Sequence, residues 1–174
     1  MAVSTAKIAN RASYQWGSLA LFMSAAAILT ALGFEYLAGY EPCELCLQQR
    51  YAYYATVPLL FATLIVLSAG QATAATALFF VASLMFLANG GLGVYHAGIE
   101  WNFWTGPASC SGGALKPLAT GSLMKELTAK PVVACGLVQG RFLGLSFAGW
   151  NVIASIALVI ATLKAASAAS SSRF

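Results

Sequence analysis

The sequence predicts an all-α membrane protein, a bundle of four transmembrane helices, and three observations carry that prediction. Of its 174 residues 60% are hydrophobic and 8% charged, against about 25% charged in an ordinary soluble domain. The charges also avoid whole blocks: 12–34, 51–99 and 142–163 contain no Asp, Glu, Lys or Arg. The middle block, finally, is too long for one crossing. A hydrocarbon core about 30 Å thick takes about 20 helical residues, whereas these 49 residues would reach about 74 Å as one helix. A soluble fold cannot cover its surface with 9 basic and 5 acidic side chains. Strands of a membrane barrel alternate in hydrophobicity over about 10 residues. These runs do not alternate, and unbroken helices satisfy the backbone in lipid.

The first span is expected at about 15–36. Lys7 and Arg11 precede it, but its apolar run exceeds the roughly 7–15 residues of a signal-peptide core, so it is read as a retained helix. The middle block folds back at Ser68-Ala69-Gly70-Gln71, a small, polar, glycine-containing break. That yields spans at about 48–68 and 72–95, with the fourth at about 143–164. One membrane domain is expected over 1–166, with the Ala/Ser-rich end, 167–174, a disordered tail. Loops one (about 37–47) and three (about 96–142) connect the spans on one side. In the long third loop, 118–130 is weakly amphipathic, with Leu123, Met124 and Leu127 on one side. It is expected as a short interfacial helix. Trp101, Phe103 and Trp104 read as an interfacial aromatic belt.

Four alternating spans place both loops, and therefore all four cysteines, on the same face. Cys43 and Cys46 lie in loop one, Cys110 and Cys135 in loop three. Lys7 and Arg11 before the first span, and Lys164 and Arg173 at the other end, put both termini on the cytoplasmic side. Loop three opposes this with Lys116, Lys125, Lys130 and Arg141, the first two far from any span end. The resulting orientation exposes the cysteines to an oxidising compartment, where disulfides persist. The net charge of +4 reads as membrane-flanking anchors. No basic cluster with interleaved aromatics suggests a nucleic-acid partner; membrane lipid is the expected surrounding.

Pro42-Cys43-Glu44-Leu45-Cys46 leads into the second span. Proline favours an extended residue before it and a helix start after it, so the C-x-x-C is expected to cap a helix. There the macrodipole and free N–H groups stabilise a thiolate. Arg50 falls four residues after Cys46, on the same helical face, and His96 ends the third span at the same depth. An ionisable group at a span edge near a thiol is a site candidate, although Arg50 can also snorkel and His96 can be an interface residue. A purely structural disulfide is an alternative. Zinc would want a second C-x-x-C or a histidine cluster, and the chain has a single histidine; no metal site is expected. Gly90-Gly91-Leu92-Gly93 lies inside a span and is no dinucleotide fingerprint. Gly144 to Gly149 is one residue too long for a nucleophile elbow. Aspartate is absent altogether.

The string Glu41-Pro42-Cys43-Glu44-Leu45-Cys46-Leu47-Gln48-Gln49-Arg50-Tyr51 resembles the signature of the disulfide bond formation protein B (DsbB) family of bacterial inner membranes. Val94-Tyr95-His96, the loop-three cysteine pair, Arg141-Phe142-Leu143-Gly144-Leu145-Ser146 and Gly149-Trp150-Asn151 extend the resemblance, which covers about 17–164. It implies a thiol:quinone oxidoreductase that reoxidises a DsbA-like periplasmic thiol oxidase. In that reading Cys110 forms the mixed disulfide with the partner and Cys135 is its pair. Electrons pass to Cys43 and Cys46, and Cys46, with Arg50 and His96, meets ubiquinone or menaquinone. DsbA is a strong oxidant at about −120 mV, so an acceptor of still higher potential must keep it oxidised. The chain departs from the family in placing Gly136 after Cys135, where an acidic residue often stands.

Two other readings remain at this point. A vitamin K epoxide reductase-like dithiol enzyme would carry its C-x-x-C late in the chain; here it is early. A non-catalytic scaffold would use its disulfides only to brace the outer loops, and such disulfides resist reduction, whereas exchanging ones are labile.

Overall fold

The computed structural model describes residues 2–110, 133–138 and 140–171. Among them four helices dominate: α1 (Ala2–Tyr36), α2 (Glu44–Ser68), α3 (Ala72–Glu100) and α4 (Phe147–Ser171). A single 3-10 turn, Ala108–Cys110, and a small antiparallel hairpin, β1 (Arg141–Phe142) with β2 (Leu145–Ser146), complete the described structure. Each helix holds a stretch long and apolar enough to cross a bilayer: Asn10–Tyr36, Glu44–Ser68, Ala72–Glu100 and Phe147–Ser171. The chain is a multi-pass membrane protein with the four-helix architecture expected.

Each helix packs on its sequence neighbours, and α1 closes the ring against α4, while α2 and α4 barely touch. The core between them holds Phe79, Phe86, Leu60 and Leu158, all fully buried. The outer faces carry Phe22, Leu29, Phe61 and Leu87, which are exposed and suit contact with acyl chains. Lipid tails are as apolar as leucine, so association rests on close packing and hydrogen bonds between helices. Small residues supply the packing. A side chain at Gly17 would stand 2.7 Å from the Phe79 ring, and one at Gly93 would stand 2.9 Å from Val152. The hydrogen bonds come from Ser13, which donates to the Ala165 carbonyl (2.9 Å), and Tyr14, which donates to that of Leu64 (3.2 Å).

The helix ends follow local chemistry. The α2–α3 turn falls where the break was expected, with Gly70 at φ +77° and the Gln71 N–H reaching back to the Val66 carbonyl, an αL helix ending. The second helix starts at Glu44 rather than about 48, because Cys43 already serves as its cap. The third continues past 95 to Glu100, with nothing to stop it before Trp101.

The fourth helix starts at Phe147, not 143. Leu143 (φ +52°) and Gly144 (φ +82°) instead form the two-residue turn of the hairpin, the type that needs positive φ at both positions. Ser146 then caps α4, its Oγ accepting from the Gly149 N–H at 3.2 Å. The tail read as disordered from 167 is helical through Ser171. Alanine is the best helix former, and Ala165, Ala166 and Ala169 pack into the core. The interfacial helix expected over 118–130 lies outside the described residues.

Because Gly93 lets α3 and α4 approach, Gly93→Val should overpack that contact at a cost of about 1–3 kcal/mol. The expected result is a lower thermal midpoint of the detergent-solubilised protein, with Gly91→Val, which meets nothing within 4 Å, as the neutral control.

Candidate active site

The start of α2 brings the first cysteine pair together. Cys43 has the extended backbone of an N-cap residue (φ −74°, ψ 169°), and its Sγ accepts from the Cys46 N–H at 3.3 Å. A sulfur thus satisfies one of the backbone donors that every helix start leaves unpaired. One turn of helix places the Cys46 Sγ 2.6 Å from that of Cys43, with the two unbonded. Cys43 is buried and Cys46 half-buried.

The end of α3 supplies the histidine. Its Nε2 lies 3.6 Å from Cys43 Sγ and 3.3 Å from the Cys135 carbonyl oxygen. On the other side of the ring, Nδ1 lies 3.0 Å from Gln49 Nε2. With the Gln49 amide donating there, Nε2 carries the proton and points it at the sulfur and the carbonyl. Glu100, one turn beyond His96, sets Oε1 3.9 Å from Nε2. Its Oε2 is buried with no partner among the described residues.

The second pair is a disulfide, Cys110–Cys135, with Cα atoms 4.9 Å apart. The Cys135 N–H donates to the Cys110 carbonyl (3.1 Å), and the Cys110 N–H to that of Pro107 (2.8 Å). All four sulfurs fall in one cluster with Leu45, Ile99, Leu92 and Val133. Cys110 and Cys135 are 4% and 1% exposed, so the disulfide is shielded from solvent. Trp104 folds over Gly98, its ring filling the space a side chain there would take, and donates to the Tyr95 carbonyl at 2.8 Å.

Beside the cysteines a cavity of about 490 Å³ opens between α1, α2 and α4, with the end of α3 at its edge. Ile28, Phe34, Phe147, Trp150 and Ala154 form apolar walls, and Cys46, Arg50 and His96 lie at its polar end. Arg50 is ion-paired with Glu35 and donates from Nη2 to the Ala31 carbonyl at 3.3 Å. Further along the bundle Tyr53 donates to Asn151 Oδ1 (2.7 Å), which also accepts from Asn89 (3.2 Å); Asn89 reaches Ser155 as well (3.3 Å). An aromatic or otherwise flat apolar ligand with an acceptor at one end fits these walls and donors.

The Cys43 thiol is pulled down to about 5 from its ordinary value. The Cys46 thiol hydrogen-bonded to it is the largest cause; His96 adds a hydrogen bond and charge, and both outweigh the burial that opposes ionisation. At neutral pH the reduced pair therefore carries its negative charge on Cys43, and a lowered thiol makes a reduced dithiol easier to form.

The structure brings together Cys43, Cys46, His96, Cys110 and Cys135 as one cluster and sets Arg50 on the neighbouring cavity. It adds three residues that the sequence reading left out. Glu35 directly follows the uncharged block 12–34, and a charge at the edge of such a span is a signal in itself. Glu100 follows His96 by four, a same-face spacing. Gln49 carried no signal, because its role depends on which helix lies opposite.

The family described as Disulfide bond formation protein DsbB matches residues 13–165. The chain is 26% identical over 140 residues, 79% of its length and 78% of the relative's, to the uncharacterized protein RP370 of Rickettsia prowazekii (strain Madrid E). No solved structure matches.

Cys43 ionises low, so its thiolate should persist above about pH 5 and be lost as pH falls through that value. Alkylation of the reduced protein in the presence of a chelator, with each cysteine followed by mass spectrometry, should show Cys43 reacting with an inflection near pH 5. His96→Ala should move the inflection up toward the ordinary thiol value of about 8.5, and Cys46→Ala, which removes the hydrogen-bond donor, should move it further. An inflection at the ordinary value in the intact protein would refute this.

Proposed function

Because this chain belongs to the DsbB family of disulfide bond formation proteins, we propose that it is a thiol:quinone oxidoreductase that reoxidises a periplasmic, DsbA-like thiol oxidase. The observation that carries the reading is the packing of a disulfide and an unbonded C-x-x-C into one buried cluster, tied by His96 to both pairs. A scaffold that merely braced its loops would have no need of a second cysteine pair packed beside the disulfide and a ligand-sized cavity. Lys7, Arg11 and Lys164 support cytoplasmic termini, which puts the cysteine end in the periplasm of a bacterial inner membrane.

The exchange steps balance as follows. A partner thiolate attacks Cys110 Sγ, the Cys110–Cys135 bond breaks, and Cys135 leaves as a thiolate. The partner's second thiol attacks its own sulfur in the mixed disulfide, leaving the partner oxidised and Cys110 reduced. Cys135 next attacks Cys43 of an oxidised Cys43–Cys46 pair, and Cys46 is released as the thiolate. Attack by Cys110 on Cys135 restores the loop disulfide and returns Cys43 as a thiolate. Two electrons have then moved from the partner to the C-x-x-C. His96 suits this transfer, since its Nε2 faces both the Cys43 sulfur and the Cys135 backbone and can hold or pass a proton there.

The cavity residues fit a quinone. The apolar walls match a ring and isoprenoid tail, and Arg50 and His96 are donors at the end where Cys46 borders the space. A bound quinone supplies the acceptor for two electrons and two protons. Cys46, the less buried of the pair and at the N-terminal turn of α2, is positioned to face it. Arg50 directs its charge at an acceptor oxygen, and its pairing with Glu35 holds the guanidinium in place.

Purified protein mixed with reduced DsbA-like oxidase and a soluble quinone analogue should consume partner thiols and quinone one for one as thiol pair and quinone. Cys46→Ser should remove this turnover. Arg50→Met should raise KM for the quinone about tenfold or more, the loss of a charged hydrogen bond of about 1.5–3 kcal/mol, while partner exchange at Cys110 survives. Turnover in Cys46→Ser at the rate of the unaltered protein, or none in the folded intact chain, would overturn the proposal.

A further inference from the structure

From the side chains that converge at the head of α2, we infer that the reduced Cys43–Cys46 pair, with His96 and Glu100, is a redox-gated site for a thiophilic divalent cation of the zinc class. The ligand atoms of Cys43, Cys46 and His96 already lie within 4.8 Å of one another. Zinc bonds thiolates at about 2.3 Å and imidazole at about 2.0–2.1 Å. A tetrahedral ion therefore sets a sulfur and a nitrogen ligand about 3.6 Å apart, and Cys43 Sγ and His96 Nε2 are separated by 3.6 Å. Two thiolates on the same ion stand about 3.8 Å apart, so the Cys43 and Cys46 sulfurs, now at 2.6 Å, must open by about 1.2 Å. Cys46 borders the cavity, so its side chain has room to turn.

Glu100 is the independent observation. A carboxylate whose side chain is only 6% exposed, with Oε2 unpartnered among the described residues, is costly unless it meets a cation or a donor. Its Oε1 stands 3.9 Å from His96 Nε2, about half an ångström beyond the separation of two nitrogen and oxygen ligands on one zinc ion. Cys43, Cys46 and His96 form the close set, with ligand atoms within 4.8 Å of one another; Glu100 stands outside it and must swing toward the sulfurs by about an ångström or more to become the fourth ligand. The other ring nitrogen of His96 is already held by Gln49. With metal on Nε2 the Gln49 amide turns over, so that its oxygen accepts from Nδ1–H, the usual support of a metal-bound histidine.

The gate follows from the same atoms. Binding displaces the thiol protons and moves no electrons. A disulfide from Cys43 to Cys46, or from Cys43 to Cys135, removes at least one thiolate ligand and expels the ion. Conversely, a bound ion occupies both sulfurs and prevents their oxidation. The C-x-x-C then holds metal only while it holds electrons.

Cobalt(II) is a suitable probe, since thiolate-to-cobalt charge transfer and intense d–d bands report a tetrahedral sulfur site without any turnover. The protein in detergent, reduced with a phosphine, should bind one cobalt per chain, displaceable by zinc. The Cys110→Ser/Cys135→Ser variant should bind as well, which excludes the loop cysteines as ligands. Oxidation with diamide should abolish the bands. Glu100→Gln, isosteric and so mild for folding, should weaken cobalt affinity about tenfold or more, and His96→Ala should lose the tetrahedral bands. No thiolate-to-cobalt charge transfer in the reduced intact chain would overturn the inference. So would identical spectra and affinity in both His96→Ala and Glu100→Gln, which would assign the ion to an adventitious two-cysteine chelate. The readout needs neither partner nor quinone, so it stands or falls separately from the oxidoreductase activity.

Discussion

His96 holds the working end of the molecule together. Its ring reaches Gln49 and Cys43 at the head of α2 through opposite nitrogens and the Cys135 carbonyl in the loop. An imidazole has two polar atoms, and in a site this buried neither can be left without a partner at small cost. The need to satisfy both therefore fixes α3 against α2 and sets the loop disulfide on top of the pair. The same ring that secures the geometry bears on the charge of Cys43, so structure and reactivity here have one source.

The rest of the bundle is arranged around an environment that offers no hydrogen bonds. Thr56, Thr63 and Thr162 return their hydroxyls to carbonyls one turn back. Tyr53, Asn89, Asn151 and Ser155 bond to one another across α2, α3 and α4. Such contacts bind helices that hydrophobicity alone would not hold together in lipid. Gly90, against Ser155, and Gly93, against Val152 and Asn151, let α3 and α4 approach closely enough for those side chains to meet.

Among the described residues, the charges that face one another across the bundle gather at the cysteine end. Arg50 and Glu35 neutralise each other at the cavity, and Glu100 sits beside His96. Ionisable groups at membrane depth are expensive and mark function. The cavity is lined by α1, α2, α3 and α4 together, and Cys46 borders its largely apolar walls.

Hydropathy and charge by themselves determined the number of spans, the turn at Gly70 and the placing of all four cysteines at one end, because those depend on local composition and on helix length against bilayer thickness. Pro42 before Cys43 sufficed to foretell the cap, a matter of one turn of backbone. Where each span begins and ends was less legible, since a two-residue hairpin turn at Leu143-Gly144 and a core-packed run of alanines after Lys164 look in sequence like span and tail. Tertiary structure alone decided what stands opposite what: Gln49 to His96, Glu35 to Arg50, His96 to Cys43 and to the Cys135 carbonyl. Those pairings depend on which helices are neighbours and how each is rotated about its axis. Helix periodicity barely constrains that rotation when the side facing lipid is as apolar as the core.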